Sequence, residues 1–498
     1  MTLLSSQTWI LINLLSGLLF TLGFAPFHYS PLAIVSLAIL FSSWLSISPK
    51  KAFIYGYSYG FGVFGLGISW AFVSIYFYGQ THFLIAALLT IGLVGFFALF
   101  PAIAAYITVW LAKKNPLSLL ILAPIIWIEI EYLRGEWFLN GFPWLQIAYS
   151  QIDTVYIGFM PILGVYGSGF LIAITASLIS YLTYYQRQYL IFANIISLIL
   201  VIGALLAKIE WTYPLENKPI TATLIQGNIS QEDKWRPESF LMTLFTYQQL
   251  TYLNWRSDLI IWPETSIPTA KFKVDVPFLQ PLAQKAREYH SNVLVSLIDY
   301  QPETNRLYNA AFLLGNNSGL YHKQHLLPFG EYLPLQPLSG WILKATGMRL
   351  DDFDSGELNQ ALLHAADYSF GTSICYEDAF GEQSIRDLNK KAFLVNLTND
   401  AWFGISLEPY QHLQMAQMRA VETGRYLLRS TNTGLSAIIA PNGKILSQTE
   451  LFTTATLTGK ILPMTGLTPY AKIGNLPIIL FIFLLGITEL IRRYFCFN

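Results

Sequence analysis

The sequence predicts a fold in two parts: a polytopic α-helical membrane domain of about eight transmembrane helices, and an α/β sandwich domain. Hydrophobic residues make up 53% of the 498 positions and charged residues only 12%, which is about half the charged fraction of a typical soluble domain. The charges are concentrated between Lys208 and Lys472, where strand-like and helix-like patterns alternate. The flanking regions are strongly apolar.

These changes in composition predict three regions. Residues 1–207 form a membrane domain with seven transmembrane helices, residues 208–472 form a soluble domain, and residues 473–498 form a closing transmembrane helix with a short tail. A spanning helix needs about 20 apolar residues. Candidate spans lie at 8–24, 32–48, 53–77, 83–111, 117–136, 159–184, 189–207 and 474–491.

Basic residues in the short loops predict the orientation of the chain. The basic residues that follow even-numbered spans are Lys50, Lys51, Lys113, Lys114, Arg187, Arg492 and Arg493. The positive-inside rule places them in the cytoplasm, so we expect both termini to be cytoplasmic and the soluble domain to be periplasmic. Arg134 is the exception. Its segment, EYLRGEWFLNGFPWLQIAYSQ, is either a site near the membrane surface or an interfacial anchor.

The soluble region predicts strands alternating with helices, and therefore an α/β sandwich around mixed sheets. Reactive groups in such folds lie where buried strands end. Three predicted strand ends carry a residue that can act as a base, a cation or a nucleophile, namely Glu264, Lys323 and Cys375. Predicted strands cover 221–228, 258–265, 292–298, 307–315, 319–326, 368–377 and 393–400; predicted helices cover 240–255, 276–290, 381–390 and 410–424, and a hairpin passes through PNGK.

Each of these residues has a structural as well as a catalytic interpretation. Glu264 could be a general base or a loop carboxylate, and Lys323 could stabilise an oxyanion or be a solvated strand lysine. Glu331 could assist the base or be a turn acid, and Cys375 could be a nucleophile or an inert buried thiol. The sequence has no CxxC or HExxH metal motif and no G-x-S-x-G elbow, so metal and serine hydrolase sites are not expected.

Considered together, these residues form a recognisable pattern. WPET, HKQHLLPFGE and SICYE, in that order, resemble the carbon–nitrogen hydrolase (nitrilase) superfamily. With the predicted spans, and with QGNISQEDKW, LPFGEYLP, NLTNDAWFG and RSTNTG, the chain resembles the apolipoprotein N-acyltransferase family over nearly its whole length. The resemblance implies an αββα sandwich with a Glu-Lys-Cys triad.

The resemblance also implies residue roles. Glu264 would be the general base, Lys323 the cation beside the oxyanion (with a backbone N–H near Tyr376), Cys375 the nucleophile and Glu331 a supporting acid. The implied substrate-binding residues are Trp235, Tyr376, Glu377, Trp144 and Arg134. WILKATGMRL (341–350) is either a mobile membrane-facing arm or an ordinary surface helix.

The implied reaction is fatty acyl transfer from a phospholipid to the N-terminal amine of an S-diacylglyceryl-cysteine apolipoprotein, through a thioester on Cys375. This is the last step of lipoprotein maturation, and it needs no cofactor and no metal. We expect a monomer in the bacterial inner membrane, and the balance of 30 basic and 30 acidic residues indicates no nucleic-acid partner. Two alternatives remain: a membrane-anchored nitrilase-type amidase acting on a small C–N bond substrate, and a channel or transporter with an outer receptor domain.

Overall fold

The computed structural model describes residues 5–182, 188–337, 340 and 352–497, with side chains described up to Phe495. Arg187 and the proposed arm at 341–350 lie outside the described residues. The chain forms two compact units. The helical unit comprises the residues up to Ile75, His82–Ile209 and the residues from Lys472 onward, and the sandwich unit comprises Tyr76–Thr81 and Glu210–Ala471.

Long apolar helices dominate the helical unit. Short π-helical and 3₁₀ segments at Leu133–Trp137, Phe138–Asn140, Ile147–Gln151 and Val155–Phe159 connect some of them. The helices from the start of the chain are Ser6–Thr21, Ser30–Ser43, Pro49–Gly67, Ala71–Tyr78, Phe83–Ala112, Pro116–Tyr132, Met160–Leu182 and Tyr189–Leu206, and the last is Leu476–Phe497.

The helical unit has membrane character, but the predicted number of eight spans is not confirmed. Within the described ranges, four helical stretches are long and apolar enough to cross a bilayer: Phe83–Ala112, Pro116–Asn140, Val155–Leu182 and Tyr189–Leu206. A fifth is added if Pro49–Gly67 and Ala71–Tyr78, which meet at a bend of 60°, form one span. The apolar helices Ser6–Thr21 and Ser30–Ser43 have 16 and 14 residues, fewer than the roughly 20 that a span needs.

Fifteen strands are present among the described residues of the sandwich unit. They are β1 (Tyr213–Pro214), β2 (Ile220–Gln226), β3 (Leu259–Ile261), β4 (Ile267–Ala270), β5 (Asn292–Gln301), β6 (Arg306–Gly315), β7 (Gly319–His322), β8 (Leu363–Ala365), β9 (Tyr368–Ile374), β10 (Phe393–Thr398), β11 (Leu427–Thr431), β12 (Ala437–Ile439), β13 (Ile445–Gln448), β14 (Ala455–Ile461) and β15 (Met464–Thr465).

The strands form two mixed sheets and a small ribbon. The seven-stranded sheet has the order β14-β2-β3-β5-β6-β7, with β4 paired to β5, and the six-stranded sheet has the order β13-β12-β11-β10-β9-β8. In the first sheet β2, β3 and β5 run parallel, and in the second β9, β10 and β11 run parallel. Strands β1 and β15 form the antiparallel ribbon.

Apolar residues from both sheets form one buried core, which includes Leu224 and Ile261 of the seven-stranded sheet and Phe370 and Val395 of the six-stranded sheet. The other face of each sheet packs against helices, through Leu244 and Leu282 on one side and Leu413 on the other. The order of layers is therefore α, β, β, α, as expected. The helices of this unit are Gln231–Lys234, Pro237–Tyr252, Lys271–Val274, Gln280–Glu288, Gly381–Ile385 and Glu408–Thr423, and Pro469–Ile473 lies at its end.

Most of the predicted strands and helices of this unit are confirmed, including the hairpin through PNGK, where β12 and β13 pair antiparallel. The helix predicted at 381–390 is wrong as a continuous element. Gly381–Ile385 ends at Arg386, whose ψ of 128° is extended, and Asp387 has a positive φ of 51°. A separate 3₁₀ turn follows at Leu388–Lys390.

Candidate active site

Three strand ends of the sandwich unit carry the candidate catalytic residues. Glu264 follows β3 after Trp262 and Pro263, Lys323 directly follows β7, and Cys375 directly follows β9. The first two therefore come from the seven-stranded sheet and Cys375 from the six-stranded sheet. All of these ends belong to the sandwich unit.

Glu264, Lys323 and Glu331 form one buried cluster. The Lys323 ammonium lies 2.9 and 2.8 Å from the two carboxylate oxygens of Glu331 and 3.5 Å from Oε1 of Glu264. The side-chain amide of Asn309 donates to Glu264 Oε1 at 2.8 Å and to Glu331 Oε1 at 3.0 Å. The two carboxylates are thus held by the same two donors, one charged and one neutral.

Lys323 is held as a cation. Its side chain is buried, which opposes the charged form, but the carboxylates of Glu331 and Glu264 outweigh burial and raise the pKa of Lys323. Its backbone is fixed as well, because its N–H donates to the Asn309 carbonyl at 2.9 Å and its own carbonyl accepts from Gly356 at 2.8 Å. A fixed, permanent positive charge suits stabilisation of an oxyanion.

Cys375 occupies a sharp turn at the end of β9. It has a positive φ of 51°, a left-handed conformation that non-glycine residues rarely adopt, and a short 3₁₀ turn, Cys375–Ala379, begins there. Burial and the Glu264 charge raise the pKa of the Cys375 thiol to about 12, while the charges of Lys323 and His412 act in the opposite direction. The charges of Glu264 and Lys323 thus both act on the pKa of the Cys375 thiol.

Glu377 links two loops through its carboxylate, and its role in substrate binding stays a prediction. Its carboxylate is fully buried and accepts hydrogen bonds from the Ile374, Gln324 and His325 backbone N–H groups, at 2.7, 2.7 and 3.1 Å. The Tyr321 hydroxyl and the Gln383 amide also donate to it. The carboxylate therefore ties the loop after β7 to the end of β9.

The other candidate substrate-binding residues differ in exposure. Trp235 is 47% exposed, whereas Tyr376 is buried, with its ring 5.2 Å from Phe380 and 6.0 Å from His325. An exposed indole is available to contact an apolar ligand, and the role of Trp235 in substrate binding stays a prediction.

Arg134 and Trp144 belong to the helical unit and are both buried. The Arg134 guanidinium donates to the carbonyls of Phe142 and Trp144 at 2.8 and 2.6 Å. The Trp144 ring packs 5.2 Å from Trp70 and 6.0 Å from Phe142. In this structure Arg134 thus organises the GFPW loop, and its role in substrate binding stays a prediction.

A buried ionic network lies next to the Cys375 turn. His412 contacts Asp378 at 2.8 Å and Asp400 at 3.1 Å, and Arg429 contacts the same two carboxylates at 2.9 and 3.3 Å. Asp400, His412 and Glu408 also have ligand atoms within 4.8 Å of one another, as a metal site would require. The Arg429 guanidinium opposes a metal cation at these carboxylates, so we interpret the network as structural.

Sequence reasoning missed two residues of the site. Asn309, on β6, bridges the carboxylates, and Lys234 is a second buried lysine whose ammonium donates to the Glu264 carbonyl at 3.1 Å. Lys234 precedes Trp235 in the QGNISQEDKW motif, so the motif was a signal for it. Asn309 lies within an ordinary strand pattern, and no sequence motif indicated its role.

Comparison with known proteins identifies the family. An apolipoprotein N-acyltransferase from Methylococcus capsulatus is 45% identical over 472 residues, covering 94% of this chain and 93% of the relative. The chain belongs to the apolipoprotein N-acyltransferase family. Other members include proteins from Nitrosomonas europaea, 40% identical over 91% of each chain, and from Coxiella burnetii, 37% identical over 95% of this chain and 98% of the relative.

Two family models match this N-acyltransferase family member. Residues 16–178 match the apolipoprotein N-acyltransferase N-terminal domain, and residues 221–470 match carbon–nitrogen hydrolase. Among solved structures, Saccharomyces cerevisiae Nit3 of the nitrilase superfamily aligns with 49% of this chain and 91% of its own, at 16% identity and a TM-score of 0.38. The named relatives and the two family models show that the chain is a membrane acyltransferase with a carbon–nitrogen hydrolase domain.

Proposed function

We propose that this protein transfers a fatty acyl chain from a phospholipid to the N-terminal amine of S-diacylglyceryl-cysteine apolipoproteins, by a ping-pong mechanism through a thioester on Cys375. The observation that carries the proposal is the buried ion pair of Lys323 and Glu264, 3.5 Å apart, whose charges act on the pKa of the Cys375 thiol. The names of the relatives supply the acceptor class.

In the first half-reaction Glu264 accepts the thiol proton while Sγ attacks the carbonyl carbon of the phospholipid ester. Lys323 stabilises the tetrahedral oxyanion. As the oxyanion collapses, the C–O bond breaks, the lysophospholipid oxygen takes the proton from Glu264, and the acyl chain stays on sulfur.

In the second half-reaction the acceptor amine attacks the thioester and loses a proton to Glu264. The C–S bond breaks, and that proton returns to the sulfur. A thioester suits this sequence because it remains reactive toward an amine, whereas the oxyester of a serine is less reactive. Glu331 and Asn309 keep Glu264 and Lys323 in place throughout.

Intact-mass analysis after incubation with phospholipid vesicles tests the proposal. We expect the protein to gain the mass of one fatty acyl group, and a diacylglyceryl-cysteine peptide to remove it and become N-acylated. Cys375→Ala should abolish both steps, whereas Cys496→Ser, which removes the other cysteine of the chain, should retain them. N-acylation by Cys375→Ala would contradict the mechanism, and release of ammonia from small amides without acylation would favour the amidase alternative.

A further inference from the structure

Lys234 is a buried cation that the triad does not account for. It ends the helix Gln231–Lys234 after β2, and only 3% of its surface is exposed. Its ammonium donates to the peptide carbonyl of Glu264 at 3.1 Å. This bond fixes the backbone from which the Glu264 carboxylate projects.

The charges that act on Lys234 are those of the reaction site. Glu264 lies at the end of β3 and Cys375 at the end of β9, and a negative charge on either favours the Lys234 ammonium. On its own helix, Asp233 is engaged elsewhere, since its carboxylate contacts Arg236 at 3.1 Å and Ser230 at 2.7 Å. Burial nevertheless dominates and lowers the pKa of Lys234 to about 8.

The formal charges of the buried cluster indicate that a second lysine is needed to make it neutral. In the resting cluster Glu264 and Glu331 are opposed by Lys323 alone. After the proton moves from Cys375 to Glu264, a thiolate and Glu331 are opposed by Lys323 alone. One negative charge is in excess in both states, and a buried net charge is costly. The Lys234 ammonium brings the sum to zero.

We propose that Lys234 is a positioning residue of the acyl-transfer site, which holds the Glu264 peptide and balances the negative charge that passes between Glu264 and Cys375. This inference rests on the proposed function, since that function makes Glu264 the base and Cys375 the nucleophile. Lys323 and Lys234 then have separate tasks: Lys323 is a permanent cation, and Lys234 is a cation only below mildly alkaline pH.

The test uses full-length protein in a Cys496→Ser background and two readouts. The first is the rate of Cys375 alkylation by iodoacetamide at neutral pH. Lys234→Met should slow it about tenfold, because losing a nearby positive charge raises a thiol pKa by about one unit or more. Lys234→Arg keeps the charge and should restore the rate.

The second readout is the pH dependence of acyl transfer. The wild-type rate should fall above about pH 8, as Lys234 loses its proton. In Lys234→Arg this fall should move to a higher pH, because the guanidinium stays charged.

Lys391→Met is the matched control. Burial also lowers the pKa of Lys391 to about 8, and its ammonium also faces a backbone carbonyl, that of Ser384 at 3.4 Å. Its charged neighbours are Arg386 and Asp387, not Glu264 or Cys375, so both readouts should match wild type.

Wild-type alkylation in Lys234→Met would overturn the inference, and so would an unmoved alkaline fall in Lys234→Arg. The second result is decisive even if the methionine variant fails to fold. A wild-type protein that alkylates as expected but never carries an acyl group would instead contradict the proposed function, while the alkylation rates would still decide the role of Lys234.

Discussion

At the scale of single residues, the main feature is the raised pKa of the Cys375 thiol. Because burial and Glu264 raise the pKa of Cys375 to about 12, the thiol is protonated at pH 7. Lys323 and His412 only partly offset this effect. Under the proposed function the thiolate forms as the proton moves to a base, and Glu264 is a carboxylate whose charge raises the thiol pKa.

Replacing Glu264 by Gln should slow the acylation of Cys375 and speed its alkylation by iodoacetamide. Acyl-thioester formation should fall roughly 10²- to 10⁴-fold, because the general base is lost. The thiol pKa should fall too, because the charge that raises it is gone, so iodoacetamide should alkylate Cys375 faster at neutral pH. Both are measured by intact mass, with exposed Glu303→Gln as control. Unchanged acylation in Glu264→Gln would exclude its role as base.

Glu377→Gln should affect stability first. The buried carboxylate accepts from three backbone N–H groups, a tyrosine and a glutamine, and an amide NH₂ cannot accept from them. Losing charged acceptors of this kind costs about 3 kcal/mol, so the thermal midpoint in detergent should fall by several degrees. Exposed Glu382→Gln is the control, and a midpoint equal to its value would show that Glu377 is not a structural anchor.

At the scale of elements, the site depends on how strands and helices place their ends. In the β6–β7 ladder Ala310 pairs with His322, which puts Asn309 beside Lys323. On the six-stranded sheet, the helix Glu408–Thr423 carries His412 against Asp378, three residues after Cys375. The turn that holds Cys375 thus contacts the buried ionic network through Asp378, which pairs with His412 and Arg429.

This ionic network predicts that the stability of the protein falls at both alkaline and acidic pH. Burial and Arg429 oppose a charged His412, but Asp378 and Asp400 prevail and raise its pKa well above the usual value. Its contribution to stability is complete below about pH 6.5 and is lost as pH rises through the raised pKa. Asp400 has the opposite sign: despite burial, Arg429 and His412 lower its pKa, so its contribution is lost as pH falls below about 3.9.

Thermal unfolding across pH checks this prediction. The wild-type midpoint should form a plateau that falls at strongly acidic and strongly alkaline pH. His412→Gln should lower the plateau and weaken the alkaline fall, whereas exposed His364→Gln should leave the curve unchanged. An alkaline fall of full size in His412→Gln would assign it to other groups.

At the scale of the whole molecule, the composition separates an apolar helical unit from a sandwich unit of ordinary polarity. The basic residues of the helical unit's loops predict that the sandwich unit is on the outer side of the membrane. Under the proposed function, this arrangement would place the Cys375 thiol on the side of the membrane where exported lipoproteins are found.

Reporter fusions test the orientation. A reporter that is active only in the cytoplasm should give no signal when fused after Lys472, and should give a signal when fused after Arg493. A fusion after Lys114, in another loop with basic residues, is the matched positive control. The reverse pattern at Lys472 and Arg493 would invert the predicted orientation.

The sequence predicted the sandwich well because buried strands read as apolar runs with marked ends. Glu264, Lys323 and Glu331 were therefore placed at strand or loop boundaries that do converge. Asn309 and the left-handed conformation of Cys375 were not foreseen, since both depend on tertiary contacts and not on local pattern. The number of spans was less predictable, because an apolar run does not show where a helix bends, as the chain does between Gly67 and Ala71.

The candidate catalytic residues are divided between the two sheets of the sandwich. Cys375 follows a strand of the six-stranded sheet, whereas Glu264 and Lys323 follow strands of the seven-stranded sheet. Under the proposed function, a chain in which only one sheet has formed carries a thiol without its base, or a base without its thiol. Acylation competence should appear only at the final docking of the two sheets, so single-turnover acylation of Cys375 during refolding would report the completion of the sandwich.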